Sequence, residues 1–277
     1  MVKNLNLIAN FLSLLNQTIS IMARIISVVS GKGGVGKTTT VSNLGAALVK
    51  KGKNVIVVDG NITTPNLSLH LGIPFYPITL HDVLKRKIPI EAAIYEHSTG
   101  MKIIPASLSA DEVKNVSLEK LENALWSLLG RADIIIVDSA AGLGKEALTA
   151  MKIADELIVV TNPDLPSVTD ALKTIKIAEE NEVKVLGVVL NRFKGKKYEM
   201  AIPEIKSMLG VPILTIVPED SSIPKSIKSR RPVVHHKPKS GAAIAFNKLA
   251  AKISGEPFIE EMRKERNWFD RLTFWFR

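Results

Sequence analysis

Short runs of apolar residues, many of them β-branched, alternate along this chain with longer segments in which apolar residues recur every three or four positions. The first pattern is typical of strands buried on both faces, and the second is typical of helices. The predicted strands cover 24–30, 54–59, 101–105, 133–138, 156–161, 184–191 and 211–218. The predicted helices cover 41–50, 117–129, 145–153, 167–180, 201–209 and 241–253.

This alternation predicts an α/β protein with a mainly parallel central sheet, right-handed crossovers and helices on both faces, in three layers. A chain of 277 residues is long enough to bury a sizeable core, and no linker divides it. Ligands of such sheets bind beyond the carboxyl ends of the strands. We therefore expect the functional residues in the loops that follow the predicted strands.

The loop after the first strand is glycine-rich and matches the phosphate-loop pattern G-x-x-x-x-G-K-[ST] from Gly31 to Thr38. Its glycines let the backbone N–H groups and the start of the next helix approach a polyphosphate. Lys37 would add a charge at the β- and γ-phosphates, and Thr38 a hydroxyl for Mg²⁺. The predicted phosphate-binding residues are Gly33, Gly34, Val35, Gly36, Lys37, Thr38 and Thr39.

A second lysine, Lys32, stands directly after the first glycine of this loop. The resulting K-G-G-x-G-K-T pattern resembles the deviant Walker A ATPases of the MinD/ParA family, which have a P-loop NTPase-like fold. In that family the early lysine reaches across a dimer to the nucleotide of the partner, and the resemblance implies this role for Lys32. It also implies a homodimer that forms around ATP and Mg²⁺.

A carboxylate ends the strongly apolar run 133–138, at the position of a Walker B aspartate. Asp138 is therefore predicted to hold Mg²⁺ directly or through water, and the plainer alternative is an aspartate that caps the next turn. The sequence from Asp138 to Gly142 also resembles the second switch of the family, D-S-P-A-G, with Ala140 in place of the proline. Gly142 and Gly144 would let this loop move when the γ-phosphate leaves.

The first switch departs from the family pattern. The expected D-x-D reads Asp59-Gly60-Asn61 here, so Asp59 matches the carboxylate near the Mg²⁺ shell. Asn61 replaces the carboxylate that orients the attacking water in relatives, and an amide cannot accept a proton at neutral pH. Phosphoryl transfer relies mostly on positioning and charge, so the sequence predicts a slow ATPase rather than an inactive one. The predicted catalytic residues are Lys32, Lys37, Asp59 and Asn61.

Two strand ends carry signals for recognition of the adenine base. Asn191-Arg192 resembles the N-R pair of the family, and Pro218-Glu219-Asp220 resembles its P-E-D loop; both could equally be turn residues that end strands. Asp164 lies in a T-N-P segment before a helix that faces partner proteins in relatives. Ser167 is the predicted N-cap of that helix.

The amino-acid composition restricts the metal and redox chemistry that is available to the chain and the charge of its binding partners. The chain contains no cysteine, which excludes disulfides, thiolate zinc sites and cysteine-ligated iron–sulfur clusters. That also excludes a close analogy with the iron–sulfur-carrying members of the superfamily. The net charge is +10, and the basic residues of 225–239 have no acid among them. This run is either a solvated face or a patch that binds anions without sequence preference.

Both termini have an amphipathic pattern. Residues 1–21 form either a stretch upstream of the true start or an N-terminal membrane or partner helix, and the first reading is favoured. The tail from Phe258 to Arg277 places aromatic and aliphatic residues on one helical face and arginines and lysines beside it. Such a helix suits the surface of an anionic bilayer, and MinD relatives carry a membrane-targeting helix there. The alternative is a helix docked on the protein itself or on a partner.

The sequence thus predicts three regions: an extension at 1–21, a deviant Walker A ATPase domain at 22–256 and a membrane-targeting tail at 257–277. The predicted function is a MinD-like ATPase that dimerises with ATP and Mg²⁺, associates with the cytoplasmic face of the membrane and positions partner proteins. One alternative is a ParA-like ATPase that binds DNA through 225–239. A second is a scaffold that binds ATP but hydrolyses it poorly, because of Asn61.

Overall fold

The computed structural model describes residues 23–72, 75–86, 88–113 and 116–257. Within them one sheet has the strand order β3-β4-β2-β5-β1-β6-β7-β8. Its strands are β1 (Arg24–Val29), β2 (Val55–Asp59), β3 (Tyr95–Glu96), β4 (Lys102–Ile104), β5 (Ile134–Asp138), β6 (Glu156–Thr161), β7 (Lys184–Phe193) and β8 (Ile213–Pro218). Only the β3–β4 pair is antiparallel among these strands, so the prediction of a mainly parallel sheet is confirmed.

The helices connect the strands and cover the sheet. They are α1 (Lys37–Lys50), α2 (Leu67–Leu71), α3 (Leu80–Arg86), α4 (Ala110–Val113), α5 (Glu119–Trp126), α6 (Lys145–Lys152), α7 (Leu165–Glu180), α8 (Ile202–Leu209), α9 (Ser222–Lys228), α10 (Val233–His236) and α11 (Gly241–Ser254), with a 3₁₀ turn at Ile90–Ala93. None of the described helices is both long enough and apolar enough to cross a membrane.

Successive residues of the central strands face opposite sides of the sheet and enter two separate cores. In β1, Ile25 and Val29 belong to one core, whereas Ile26 and Val28 belong to the other. Helices α3, α5, α6, α7 and α8 cover the first core, and α1, α2, α10 and α11 cover the second. This is the predicted three-layer arrangement, and it explains why the strand sequences are continuously apolar rather than alternating.

The structure differs from the prediction in one short strand and at the ends of two helices. The antiparallel strand β3 has two residues, too few for a periodic pattern. The prediction that Ser167 caps its helix is wrong: α7 begins at Leu165, and Asp164 Oδ1 accepts a hydrogen bond from the Ser167 N–H at 3.0 Å. The last helix ends at Ser254, one residue beyond the predicted end, and Gly255, whose φ is 71°, is its C-cap.

Two of the predicted regions are not covered by the structure. The extension 1–21 lies outside the described residues, and so does the tail beyond Pro257. The amphipathic tail helix therefore stays a prediction.

Candidate nucleotide-binding site

The glycine loop joins β1 to α1 at the carboxyl edge of the sheet, as the sequence predicts. Gly34 and Gly36 have φ values of 78° and 102°, in the left-handed region that favours glycine. A Cβ atom on Gly36 would lie 2.2 Å from Asn191 Nδ2, so no side chain fits there. The loop therefore leaves backbone N–H groups and the N-terminus of a 14-residue helix beside the cleft, which is the arrangement that binds phosphate.

The two lysines of this loop have opposite environments. Lys37 is only 8% exposed, and its Nζ donates a hydrogen bond to Ser30 Oγ at 2.9 Å. Burial lowers the pKa of Lys37, and the Asp138 carboxylate acts in the opposite direction. Lys32 is exposed at the surface of the loop. Lys37 thus lines the cleft of its own chain, whereas Lys32 is exposed and does not line it.

The carboxylates predicted to hold or support Mg²⁺ lie on neighbouring strands. Asp138 is buried, and the Thr38 hydroxyl hydrogen-bonds to it. Burial raises the pKa of Asp138 to about 6, against the opposing effects of Thr38 and of Lys37. Among the described residues, Asp138 Oδ1 has no hydrogen-bond partner although it is buried. An unsatisfied carboxylate oxygen beside a threonine hydroxyl fits Mg²⁺, which prefers oxygen ligands.

Asp59 also organises the first switch. Its Oδ2 accepts a hydrogen bond from the Leu67 N–H at 3.1 Å, and its Oδ1 accepts one from the Asn61 N–H at 3.3 Å. Burial, followed by the charge of Asp138, raises the pKa of Asp59 well above its usual value. Asp59 therefore fixes both ends of the loop that leads into α2, and a nearby cation would relieve its repulsion from Asp138.

The side chain of Asn61 lines the cleft but is engaged by its own loop. Its Oδ1 accepts a hydrogen bond from Thr64 Oγ1 at 3.1 Å, and its Nδ2 donates to the Thr64 carbonyl. This pair of bonds uses one acceptor and one donor of the side chain. An amide has both, whereas an ionised carboxylate has no donor. The Asn61 amide thus matches the conformation of this loop.

The residues predicted to contact the base also line the cleft. Asn191 Nδ2 donates to the Val35 carbonyl at 2.7 Å, so it also holds the phosphate loop. Asp220 accepts hydrogen bonds from the N–H groups of Ser222 at 2.8 Å and Ala242 at 3.1 Å. Burial opposes the effect, but these bonds keep the pKa of Asp220 below its usual value. Asp220 is thus the anchor of two helix starts, and Glu219 is the exposed acid of this loop.

The cleft has a volume of about 600 Å³, within the usual range of about 300–1,000 Å³ for ligand sites. The structure brings most of the predicted residues into its lining: Gly33, Gly34, Gly36, Lys37, Thr38, Thr39, Asn61, Asn191, Arg192, Pro218, Glu219 and Asp220. Val35, Asp59 and Asp138 are buried behind the lining, and Lys32 is exposed outside it. The roles of these residues stay predictions.

Several lining residues were not predicted. They are Thr64, Asn66, His70, Ser139, Ala141, Ile223, Pro224 and Ile227. The helix α9 follows the P-E-D loop directly and contributes Ile223 and Ile227, an apolar wall suited to a planar base. Ser30 is a further residue that the motif search missed, because its role of holding Lys37 is set by the fold of the loop.

A parallel sheet, a glycine loop leading into a helix and a buried aspartate beside the loop threonine define a P-loop nucleotide-binding protein. The family model for ParA, described as the NUBPL iron-transfer P-loop NTPase, matches residues 21–254. The chain therefore belongs to the ParA family of P-loop NTPases. Iron transfer through thiolates does not apply, because the sequence has no cysteine.

Individual relatives agree with this assignment. The chain is 40% identical over 251 residues to an uncharacterized ATP-binding protein of Methanocaldococcus jannaschii, covering 91% of this chain and 95% of that protein. It is 31% identical over 260 residues to the septum site-determining protein MinD of Synechocystis, covering 91% and 97%. The solved MinD of Pyrococcus horikoshii complexed with Mg-ADP superposes with a TM-score of 0.81 at 39% identity, covering 84% and 96%.

These likenesses support the cofactor prediction as well as the fold. ATP and Mg²⁺ are the cofactors of this family of ATPases, and the residues of the cleft fit them. The chain is therefore similar to MinD proteins within the ParA family.

Proposed function

We propose that this protein is a MinD-like ATPase switch that dimerises around ATP and Mg²⁺, associates with the membrane as a dimer and positions partner proteins. The observation that carries the proposal is the contrast between the two lysines of the loop. Lys37 is buried against Ser30, and Lys32 is exposed on the outer surface of the loop. A charge that its own cleft does not enclose is suited to a nucleotide held by a second copy.

Within one cleft, the chain's own groups bind and orient the nucleotide. The loop N–H groups and Lys37 hold the phosphates, and Thr38 and Asp138 would hold Mg²⁺. The cation supplies charge that neutralises the phosphate oxygens during transfer. Asn61 can hydrogen-bond the attacking water but cannot take its proton, so hydrolysis is slow and the ATP-bound state is long-lived.

The two switch loops are connected to the phosphate loop and to each other, which would let nucleotide state alter the surface. The Gly142 N–H donates to the Ser30 carbonyl at 2.9 Å. The Thr63 hydroxyl donates to the carboxylate of Glu146 at the start of α6. A change in the second switch therefore reaches the first one through α6.

The membrane part of the proposal rests on the tail sequence. One amphipathic helix binds weakly, because shallow burial of a few side chains must offset the entropy of immobilising the protein. Two tails in one dimer bind much more tightly by avidity, so ATP would control attachment through dimerisation. The name of the Synechocystis relative, a septum site-determining protein, supports a role in positioning.

The decisive test is dimerisation of a Lys32→Ala variant, measured by analytical ultracentrifugation with a slowly hydrolysed ATP analogue. We expect the wild type to dimerise with the analogue and not with ADP, and the variant to stay monomeric while its ADP affinity is unchanged. Lys206→Ala, which removes an exposed lysine of α8, is the matched control and should dimerise normally. A dimer of unchanged affinity in Lys32→Ala would refute the proposed role.

Membrane attachment is tested separately by sedimentation with anionic vesicles. Binding should require both the ATP analogue and residues 258–277. Binding that ignores both would contradict the MinD-like mechanism, and binding to DNA through the exposed lysines and arginines of 225–239 would then be the next measurement.

A further inference from the structure

A second cavity lies between α11 and the sheet-edge strand β8, and none of the residues that line it also lines the nucleotide cleft. Its volume is about 660 Å³. The residues that line it are Ile213, Leu214, Thr215, Ile216, Gly241, Ile244, Ala245, Lys248, Ala251, Lys252 and Glu256. The four isoleucine and leucine side chains among them are only half-buried. Among the described strands β8 is at the edge of the sheet, and an apolar groove of this size beside such an edge is a typical docking site.

The described part of the chain ends beside this groove. Gly255 adopts a left-handed conformation with φ of 71°, and the Glu256 N–H donates back to the Ala251 carbonyl at 3.0 Å. This is the hydrogen bond of a helix-ending turn that reverses the chain over the last helical turn. Ala251 and Glu256 both line the groove, so the chain leaves the helix at its rim.

Two ion pairs connect the exit point to the residues that follow α1. Glu256 forms ion pairs with Lys51 at 3.3 Å and with Lys53 at 3.2 Å. Each residue after Glu256 can extend the chain by about 3.5 Å at most, and Glu256 itself lines the groove, so a short segment after it is long enough to cross the groove. A segment tethered so closely has a high effective concentration at the groove and needs little intrinsic affinity to occupy it.

The chemistry of the following residues complements the groove. Phe258, Ile259 and Met262 are apolar, as the floor is, and Glu260 and Glu261 are acidic. The rim carries Lys248 and Lys252. Lys252 donates to the Leu214 carbonyl on β8, and an ammonium group has further donors for a carboxylate.

We propose that the segment from Phe258 to Met262 docks in the groove between α11 and β8 of its own chain. Phe258, Ile259 and Met262 fill the apolar floor, and Glu260 and Glu261 face Lys248 and Lys252. Docking of this first part of the tail holds the aromatic part, 268–276, close to the protein and reduces its access to a bilayer. The regulatory consequence rests on the proposed membrane function, whereas docking itself does not.

The absence of cysteine makes docking measurable by disulfide crosslinking in the full chain. We expect Lys248→Cys/Met262→Cys to form an intramolecular disulfide several-fold faster than Lys53→Cys/Met262→Cys. Lys53 is a matched control because it also contacts Glu256 but does not line the groove. Equal rates in the two variants would overturn the proposal, and so would disulfide-linked dimers, which would show that the groove accepts the tail of a second copy.

Vesicle binding tests the consequence. Ile244→Glu places a charge in the groove and should release the tail, while Asn247→Glu adds the same charge to α11 outside the groove. If the tail is docked in about 90% of molecules, its release raises the apparent vesicle affinity without ATP about tenfold, since affinity scales with the competent fraction. An added carboxylate by itself would weaken the attraction to an anionic vesicle. An increase in vesicle affinity in Ile244→Glu but not in Asn247→Glu would therefore show that the tail has been released from the groove.

The two measurements separate the two proposals. A fast intramolecular crosslink without vesicle binding under any condition would refute the membrane function and leave docking standing. Unaltered vesicle binding in Ile244→Glu, together with equal crosslinking rates, would refute docking and leave the membrane function standing. ADP binding of each variant, equal to that of the wild type, verifies that the fold is intact.

Discussion

Asp59 and Asp138 are direct register partners at the carboxyl ends of β2 and β5, and both carboxylates are buried. Two buried carboxylates on adjacent strands repel each other when both are ionised. The strand register therefore builds a site that favours either a proton or a cation. This relationship places the predicted Mg²⁺ site and the predicted first switch beside the same pair of carboxylates.

The pair predicts a pH dependence of stability in protein that is free of nucleotide and divalent cations. The pKa of Asp138 is raised from 3.8 to about 6, so the folded state binds more protons than the unfolded state between these values. The contribution of the protonated group is complete below pH 3.8 and is lost as the pH rises through about 6. A shift of this size corresponds to about 3 kcal/mol of lost stability at neutral pH.

Denaturant unfolding at several pH values, in the presence of EDTA, measures this loss. Asp138→Asn should be at least as stable as the wild type at pH 7 and should lack the part of the decrease that Asp138 contributes. The part due to Asp59, whose pKa is raised mainly by burial, should remain. Asp133→Asn, which removes a carboxylate just before the other end of β5, is the control for the loss of one negative charge. A wild-type and an Asp138→Asn profile of the same shape would contradict the prediction.

Gly36 should be intolerant of any side chain. Gly36→Ala would place Cβ 2.2 Å from Asn191 Nδ2 at a φ of 102°, so we expect loss of ADP binding and destabilisation by about 1–3 kcal/mol. Gly52→Ala is the matched control, because its φ is 79° but no atom lies within 4 Å of the added Cβ. Gly52→Ala should lose some stability and keep its ADP affinity. Differential scanning calorimetry of both variants measures the stability, and titration calorimetry measures ADP binding.

Asn61→Asp should raise the ATPase rate. A carboxylate in the cleft can accept the proton of the attacking water, and a positioned general base contributes about 10²-fold or more where proton transfer limits the rate. The gain is expected to be smaller here, about tenfold, because phosphoryl transfer depends mostly on positioning. Steady-state phosphate release is the measurement, and a rate that does not increase would refute the explanation for slow hydrolysis.

The structure adds a control for this experiment. Asn61→Asp also removes the hydrogen bond from Nδ2 to the Thr64 carbonyl, which could loosen the loop. Thr64→Val removes the hydroxyl that donates to Asn61 Oδ1 and loosens the same loop without adding a base. A similar rate increase in Thr64→Val would assign the effect to loop mobility instead of proton transfer.

The sequence predicts the sheet and the phosphate loop well because both depend on local patterns. The apolar runs around Ile26 and Ile136 are long, and the loop from Gly31 to Thr38 has fixed spacing. Hydrogen bonds between distant segments leave no such pattern. The contact of Asn191 with Val35 joins residues 156 positions apart, and only the register of β7 brings them together.

The position of Asp220 is an example of structural information that the sequence motif does not contain. The P-E-D motif predicts a contact with the base, but the Asp220 carboxylate accepts hydrogen bonds from backbone N–H groups at the starts of both α9 and α11. Residue identity alone does not distinguish an aspartate that binds a ligand from one that caps a helix, because both use the same acceptor oxygens. The seven residues of α9 are too few for a periodic pattern of apolar positions, so the sequence predicts neither this helix nor its capping by Asp220.

The corrected cap of α7 provides the last prediction. Asp164 lies before the helix in an extended conformation and accepts the Ser167 N–H, whereas the Ser167 side chain is buried inside the first turn. Asp164→Ala should therefore destabilise the protein by about 1 kcal/mol, the usual cost of losing an N-cap. Ser167→Ala keeps the backbone N–H and should have a smaller effect on the free energy of unfolding. If Ser167→Ala were the more destabilising of the two, the serine would cap the helix after all, and the start of α7 would have a different conformation in solution.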